Sequence, residues 1–250
     1  SYKMNKILFF CFIIISINIS CVKNCVSFKD NDHILYGIDV SHYQSQTNNI
    51  NWELVSENDN PRISFAYIRT TMGIDGRDKA VEYNIREAKK HGIKVGVYHY
   101  YRPNENSIEQ IENFFNHNQD IGDLPPVLDI EEKSKFGSNN LRKGLLNFLK
   151  IVENKYGIKP IIYAHQRFYN THLRNKFPEY EIWIARQNGI DNFPDNNSMN
   201  KEPILLDNKC PKIWQYSGTG TVNGINGNVD LNVTDKFLWG KEWCNLNSIE

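Results

Sequence analysis

What this chain lacks narrows the field before any motif is read. It has no excess of either charge: Lys+Arg and Asp+Glu both number 29 in 250 residues. No basic arm or stripe disturbs that balance, so nucleic acid is not an expected partner. Cysteines number five, and none sits in a Cys-x-x-Cys or Cys/His arrangement with zinc spacing, so no metal site is expected. The histidines at strand ends, His42, His99 and His165, have no Ser or Cys nucleophile motif beside them, which leaves them as supporting hydrogen-bonders. Internal repeats and a linker to a second domain are missing too. Long apolar runs are absent but for one, Ile7 to Ile19 behind Met4-Asn5-Lys6, and it falls short of the roughly 20 residues that span a bilayer.

That run has the charge and length of a secretory signal peptide, expected to be removed after about residue 25. Ser1 to Lys3 precede the expected initiator Met4 and read as an extension. Losing Lys3, Lys6 and Lys23 leaves 26 basic against 29 acidic residues, a formal charge of −3. The expected product is a secreted, vesicular or lysosomal monomer spanning 26–250, with no stable membrane association. Its affinity for a substrate must then come from a cleft and not from net charge. Cys11, Cys21 and Cys25 fall in or near the leader, which leaves Cys210 and Cys244 as the pair that could bond in the mature chain, a pairing the sequence does not fix. Asn196 and Asn232 begin acceptor patterns for N-glycosylation, and Asn196 is favoured because Asn232 falls in a predicted strand.

What is present is an alternation. Short apolar runs at 36–41, 64–70, 94–100, 126–131, 159–165, 181–187, 212–217 and 229–233 have strand length and strand composition. Helical stretches intervene at 79–91, 107–118 and 139–156, the first and last closed by Gly92 and Gly157. Strands alternating with helices specify a parallel sheet, and eight of them specify closure. The expected fold class is α/β, an irregular (β/α) TIM-like barrel of eight strands with reduced helices in the C-terminal half. The Gly-rich link from 217 to 227 is too short for a helix, so the last strands are expected to pair antiparallel.

Active sites of such barrels lie at the C-terminal ends of the strands, and four carboxylates fall there. Asp39 ends the first strand, Asp129 and Glu131 end the fourth, and Asp230 lies in the last. On a strand, residues two apart share a face, so Asp129 and Glu131 point into the mouth while Leu128 and Ile130 point to the helices. Two adjacent acids repel, so one is expected to hold its proton near neutrality. One protonated and one ionised carboxyl is what glycosidic cleavage needs. Aromatics at the same level, namely Tyr98, Tyr100, Tyr163, Trp183, Trp214 and Tyr216, have the flat faces that stack on sugar rings. Arg69 is expected to pair with an acid or contact substrate.

The runs Gly-Ile-Asp-Val-Ser-His-Tyr-Gln (37–44), Ala-Tyr-Ile-Arg-Thr (66–70), Gly-Val-Tyr-His-Tyr (96–100), Pro-Pro-Val-Leu-Asp-Ile-Glu (125–131), Pro-Ile-Ile-Tyr (160–163), Ile-Trp-Ile-Ala (182–185), Trp-Gln-Tyr-Ser (214–217) and Val-Asp-Leu-Asn (229–232) together resemble the glycoside hydrolase family 25 muramidases, the Chalaropsis-type lysozymes. The resemblance implies β-1,4 cleavage between N-acetylmuramic acid and N-acetylglucosamine in bacterial peptidoglycan, with no cofactor. It implies Glu131 as proton donor, Asp129 as the acid beside it, and Asp39 and Asp230 as further site carboxylates. Arg69, Tyr98, Tyr163, Trp183 and Gln215 are the implied substrate contacts, Arg69 standing where many relatives carry Lys. Whether Asp129 or the substrate's own acetamido group attacks stays open. A sugar-binding barrel without catalysis and an enzyme on chitin are the competing readings, the first opposed by the intact Asp-x-Glu pair.

Overall fold

The computed structural model describes residues 25–28, 32–46, 48–187 and 201–239. Nine strands form one sheet: β1 (Ile34–Val40), β2 (Ile63–Met72), β3 (Gly76–Arg77), β4 (Lys94–Tyr100), β5 (Val127–Asp129), β6 (Ile161–His165), β7 (Ile182–Ala185), β8 (Ile213–Gly220) and β9 (Val229–Asp235). Eight of them close a barrel in the order β1-β9-β8-β7-β6-β5-β4-β2, with β1 returning to pair with β2. The two-residue β3 is only a flap folded back on the end of β2.

The barrel has two regimes. From β2 through β8 every neighbouring pair in the wall is parallel. The seam is different: β9 runs antiparallel to both β8 and β1. The expected hairpin at 217–227 is thus present. Helices follow the same division. Helices α1 (Trp52–Ser56), α2 (Val81–Lys90), α3 (Ser107–His117) and α4 (Ser138–Tyr156) all precede β6. After β6 the described residues hold only helical turns at 166–173 and 236–239. The irregular α/β barrel with a helix-poor second half is therefore observed. Helix α1 escaped the sequence reading because five residues carry too little periodicity, although Asn51 caps it through a bond from the Leu54 amide. Gly157 ends α4 at φ 71°, the left-handed stop expected of it.

Alternation along the strands fills both sides of the wall. Phe65, Tyr67, Val127, Ile161, Trp183 and Ile213 pack inside the barrel. Leu128 and Ile130 face outward onto Phe114, Leu145 and Phe148 of α3 and α4. The interior rings need room: a Cβ on Gly37 would collide with the Phe65 ring, and one on Gly96 with the Tyr67 ring. These two glycines let large aromatics plug the barrel floor beneath the mouth.

The N-terminal stub corrects one expectation. Cys210 pairs with Cys25, their Cα atoms 5.1 Å apart, and so is not available to Cys244. The reason is local packing. Phe28 is buried against Trp214, with ring centroids 6.1 Å apart, and its amide donates to Glu202 Oε1 at 2.7 Å. That seats Cys25 over the segment leading to β8 and makes it the first described residue of the folded domain. Cys244, Asn196 and the apolar run Ile7–Ile19 lie outside the described residues.

Candidate active site

The C-terminal ends of β1, β2, β4, β5, β6, β7 and β8, together with the start of β9, surround a cleft of about 200 Å³. Its walls hold Asp39, Asp129, Glu131 and Asp230 together with Arg69, Tyr98, Tyr163, Trp183 and Gln215. All four carboxylates and the five implied substrate contacts line this one cavity. Ser41, Tyr43, Tyr100 and Val127 complete it. Tyr43 escaped notice because it sits on a helical turn, His42–Ser45, past the end of β1, where strand alternation no longer predicts direction.

The four carboxylates fall into two sets. Asp39 is held. Its Oδ2 accepts from Asn232 Nδ2 at 2.8 Å and from Gln215 Nε2 at 2.9 Å. The same amides anchor aromatics: Trp183 Nε1 donates to Asn232 Oδ1 at 3.0 Å, and the Tyr163 hydroxyl donates to Gln215 Oε1 at 3.0 Å. One chain of bonds therefore runs Trp183–Asn232–Asp39–Gln215–Tyr163. Burial raises the Asp39 pKa, and the bonds from Asn232, Gln215 and Asp230 pull against it. Asp230 is pushed up to about 9, by burial first and then by the charge of Asp39, so Asp230 carries the proton of this pair.

Asp129 and Glu131 are not held in this way. Asp129 is buried, and its Oδ1 has no hydrogen-bond partner. Burial lifts its pKa well above the carboxylate range, and the charges of Glu131 and then Asp39 lift it further. Glu131 stands two residues past Asp129, the last residue of β5, and so on the same face, nearer to solvent. Its pKa is raised by burial, while His165, whose Nε2 lies 3.6 Å from Oε1, pulls it down. The sequence argument attributed the raised acid to repulsion inside the pair. Desolvation is the larger cause for both residues, and the repulsion between them falls on Asp129.

Other expectations need correction. Arg69 does pair with an acid, but with Asp78, its Nε and Nη2 each 3.0 Å from Oδ1. Asp78 also accepts from the His42 amide at 2.6 Å, and the His42 ring touches the Arg69 guanidinium. Trp214 and Tyr216 are not in the cleft. In β8 it is Gln215 that faces the interior, so the flanking aromatics pack outward with Phe28, Ile38 and Val222. His99 also turns away: it stacks on Phe148 at 5.0 Å and contacts Thr71 and Gln110, and burial lowers its pKa to about 4. Asn232 matches a glycan acceptor pattern, disfavoured for lying in a strand. It is fully buried and serves the cleft instead.

A closed β/α barrel whose mouth gathers acids of perturbed pKa beneath aromatic walls defines a hydrolase site of the glycosidase class. Comparison with known proteins makes this specific. Residues 38–225 match the family model described as glycosyl hydrolases family 25. The chain is 37% identical over 207 residues to the uncharacterized protein YegX of Escherichia coli K12, covering 80% of this chain and 70% of the relative. It is 29% identical over 210 residues to Lysozyme M1 of Streptomyces globisporus, covering 78% and 66%. Among solved structures, a bacterial lysozyme from Streptomyces coelicolor superposes with TM-score 0.65 at 28% identity, covering 79% of this chain and 90% of that one. A family 25 glycosyl hydrolase from Bacillus anthracis gives TM-score 0.65 at 27% identity, covering 80% and 88%. The chain belongs to glycosyl hydrolases family 25.

Proposed function

We propose that this glycoside hydrolase is a secreted muramidase that cleaves the β-1,4 bond between N-acetylmuramic acid and N-acetylglucosamine in bacterial peptidoglycan. The observation that carries the reading is the Asp129–Glu131 pair, two acids of raised pKa facing one aromatic-walled cleft. Similarity to proteins named Lysozyme M1 and Autolytic lysozyme supports the choice of substrate.

In this mechanism Glu131, whose pKa burial raises, gives its proton to the leaving glycosidic oxygen. Positive charge then builds at the anomeric carbon, and Asp129 answers it. An ionised Asp129 is costly in the empty site because nothing donates to its Oδ1, but it is favoured next to an oxocarbenium-like sugar. Asp39, fixed from two sides, orients substrate. Tyr163 and Trp183, tied to the same network, present their rings to the sugar.

The enzyme acts as a monomer outside the cell after its leader is removed. Cleavage falls before Cys25, because that residue is bonded to Cys210. Intact mass of native material tests this: a chain still carrying Met4 contradicts it. The substrate is tested by digesting purified walls, reducing the new ends with borohydride and hydrolysing the product. Muramitol is the expected alditol. Glucosaminitol, or release from chitin oligomers with intact walls, would overturn the assignment.

A further inference from the structure

Arg69 has a cavity on each side of it. One is the acidic cleft. The other, about 490 Å³, is walled by His42, Ser45, Gln46, Met72, Gly76, Arg77, Asp78, Lys79 and Ala80 as well as Arg69. Its charge is the reverse of the cleft's. Three permanent cations, Arg69, Arg77 and Lys79, face a single acid, Asp78, and that acid is already engaged by Arg69 and by the His42 amide. Arg77 contacts Glu82 at the surface, while Lys79 is exposed and has no ion-pair partner among the described residues. Helix α2 starts just past Ala80 with no side-chain cap, so its first amides add to the positive field of the cavity. Arg77 and Lys79 do not line the acidic cleft.

We propose that this basic cavity binds carboxylate groups of the peptide carried by the glycan while the sugar backbone lies in the acidic cleft. The inference rests on the muramidase reading and adds a recognition site to it. The cleft offers an anionic side branch no free cation, because Arg69 is engaged by Asp78, and the ionised Asp39 repels it. The cationic cavity adjoins the cleft, since Arg69 lines both. The cavity is wide enough for a short extended peptide and is open to solvent. Arg69 then reads as a partition: its Asp78 pairing keeps its fork fixed, so the two charge regions stay apart. A carboxylate there gains from several cations without being buried, which makes the contact salt-sensitive.

The test uses the double variant Arg77→Gln, Lys79→Glu, two positions outside the catalytic cleft. Substrates are whole peptidoglycan, the same glycan stripped of peptide by an amidase, and walls freed of phosphodiester polymers by acid. The expected result is a KM on whole peptidoglycan raised about three- to tenfold, the scale of a few exposed charge contacts, with kcat unchanged. Stripped glycan should show no difference between variant and wild type, and added salt should shrink the effect. In parallel, a synthetic tripeptide bearing two free carboxylates is titrated against wild type and variant, with binding followed by NMR shifts. This arm does not depend on cleavage, so it separates failure of the cavity from failure of the muramidase reading. Tripeptide binding to wild type that weakens in the variant supports the proposal. Equal slowing on whole and stripped glycan would overturn it, as would an effect lost only when the phosphodiester polymers are removed, or no binding of the tripeptide.

Discussion

The parallel wall and the antiparallel seam each contribute two acids to the cleft, and they treat them in opposite ways. At the seam, β9 brings Asn232 next to β1 and β8 brings Gln215, and both donate to Asp39. On the parallel wall, β4 and β6 flank β5 with Tyr98, Tyr100 and Tyr163, none of whose side chains donates to Asp129 Oδ1. One set is built for position, the other for proton traffic. The same residue type serves both because the neighbouring strands supply amides in one place and rings in the other.

The largest expected effect breaks the proton-bearing side. Glu131→Gln should lower the rate of wall lysis by about 10²–10⁴-fold, since Gln keeps the shape but cannot protonate the leaving oxygen. Asp129→Asn should cost activity nearly as severely and yet stabilise the fold. Its carboxyl is protonated more readily when folded than when unfolded, so the folded state loses stability as pH rises above the ordinary carboxylate range. Removing it should raise Tm near neutral pH by about 2–4 °C, roughly 1 kcal/mol for a domain of this size. The reverse is expected at the seam. Asn232→Ala should leave Asp39 Oδ2 short of a donor and Trp183 Nε1 without an acceptor, costing about 1–3 kcal/mol in chemical denaturation. Its activity loss should be smaller than that of Asp129→Asn. If both variants shift stability in the same direction, the division between the two sides is wrong.

The smallest effect concerns His165. Its proximity lowers the Glu131 pKa, so His165→Asn should move the alkaline limb of the pH–rate profile upward by a few tenths of a unit. A limb that stays in place would show that the imidazole does not reach Glu131 electrostatically.

Much of this was legible in the residues, and the gaps have physical reasons. Strand periodicity needs only local composition, so the direction of Asp129 and Glu131 followed from their spacing of two, with Leu128 and Ile130 packing outward as alternation requires. With Gln215 implied as a contact by the resemblance, the same rule puts Trp214 and Tyr216 outside, but aromatic content weighed more than alternation there. Arg69 found Asp78, a partner nine residues along, because β2 turns back through the β3 flap, which two residues do not announce. The Cys25–Cys210 bond spans 185 residues and depends on where Phe28 docks, a tertiary fact with no local trace. Asn232 matched a glycosylation pattern and so concealed its bonds to Asp39 and Trp183.

The central claim is that Glu131 is the acid of the cleft. The most direct measurement is clearance of bacterial wall suspensions by Glu131→Gln, with a melting curve taken on the same preparation. The account predicts an unchanged cooperative melt and clearance slowed at least about 100-fold, the lower bound for losing general acid help. A variant that melts like wild type and still clears walls at near wild-type rate would contradict it.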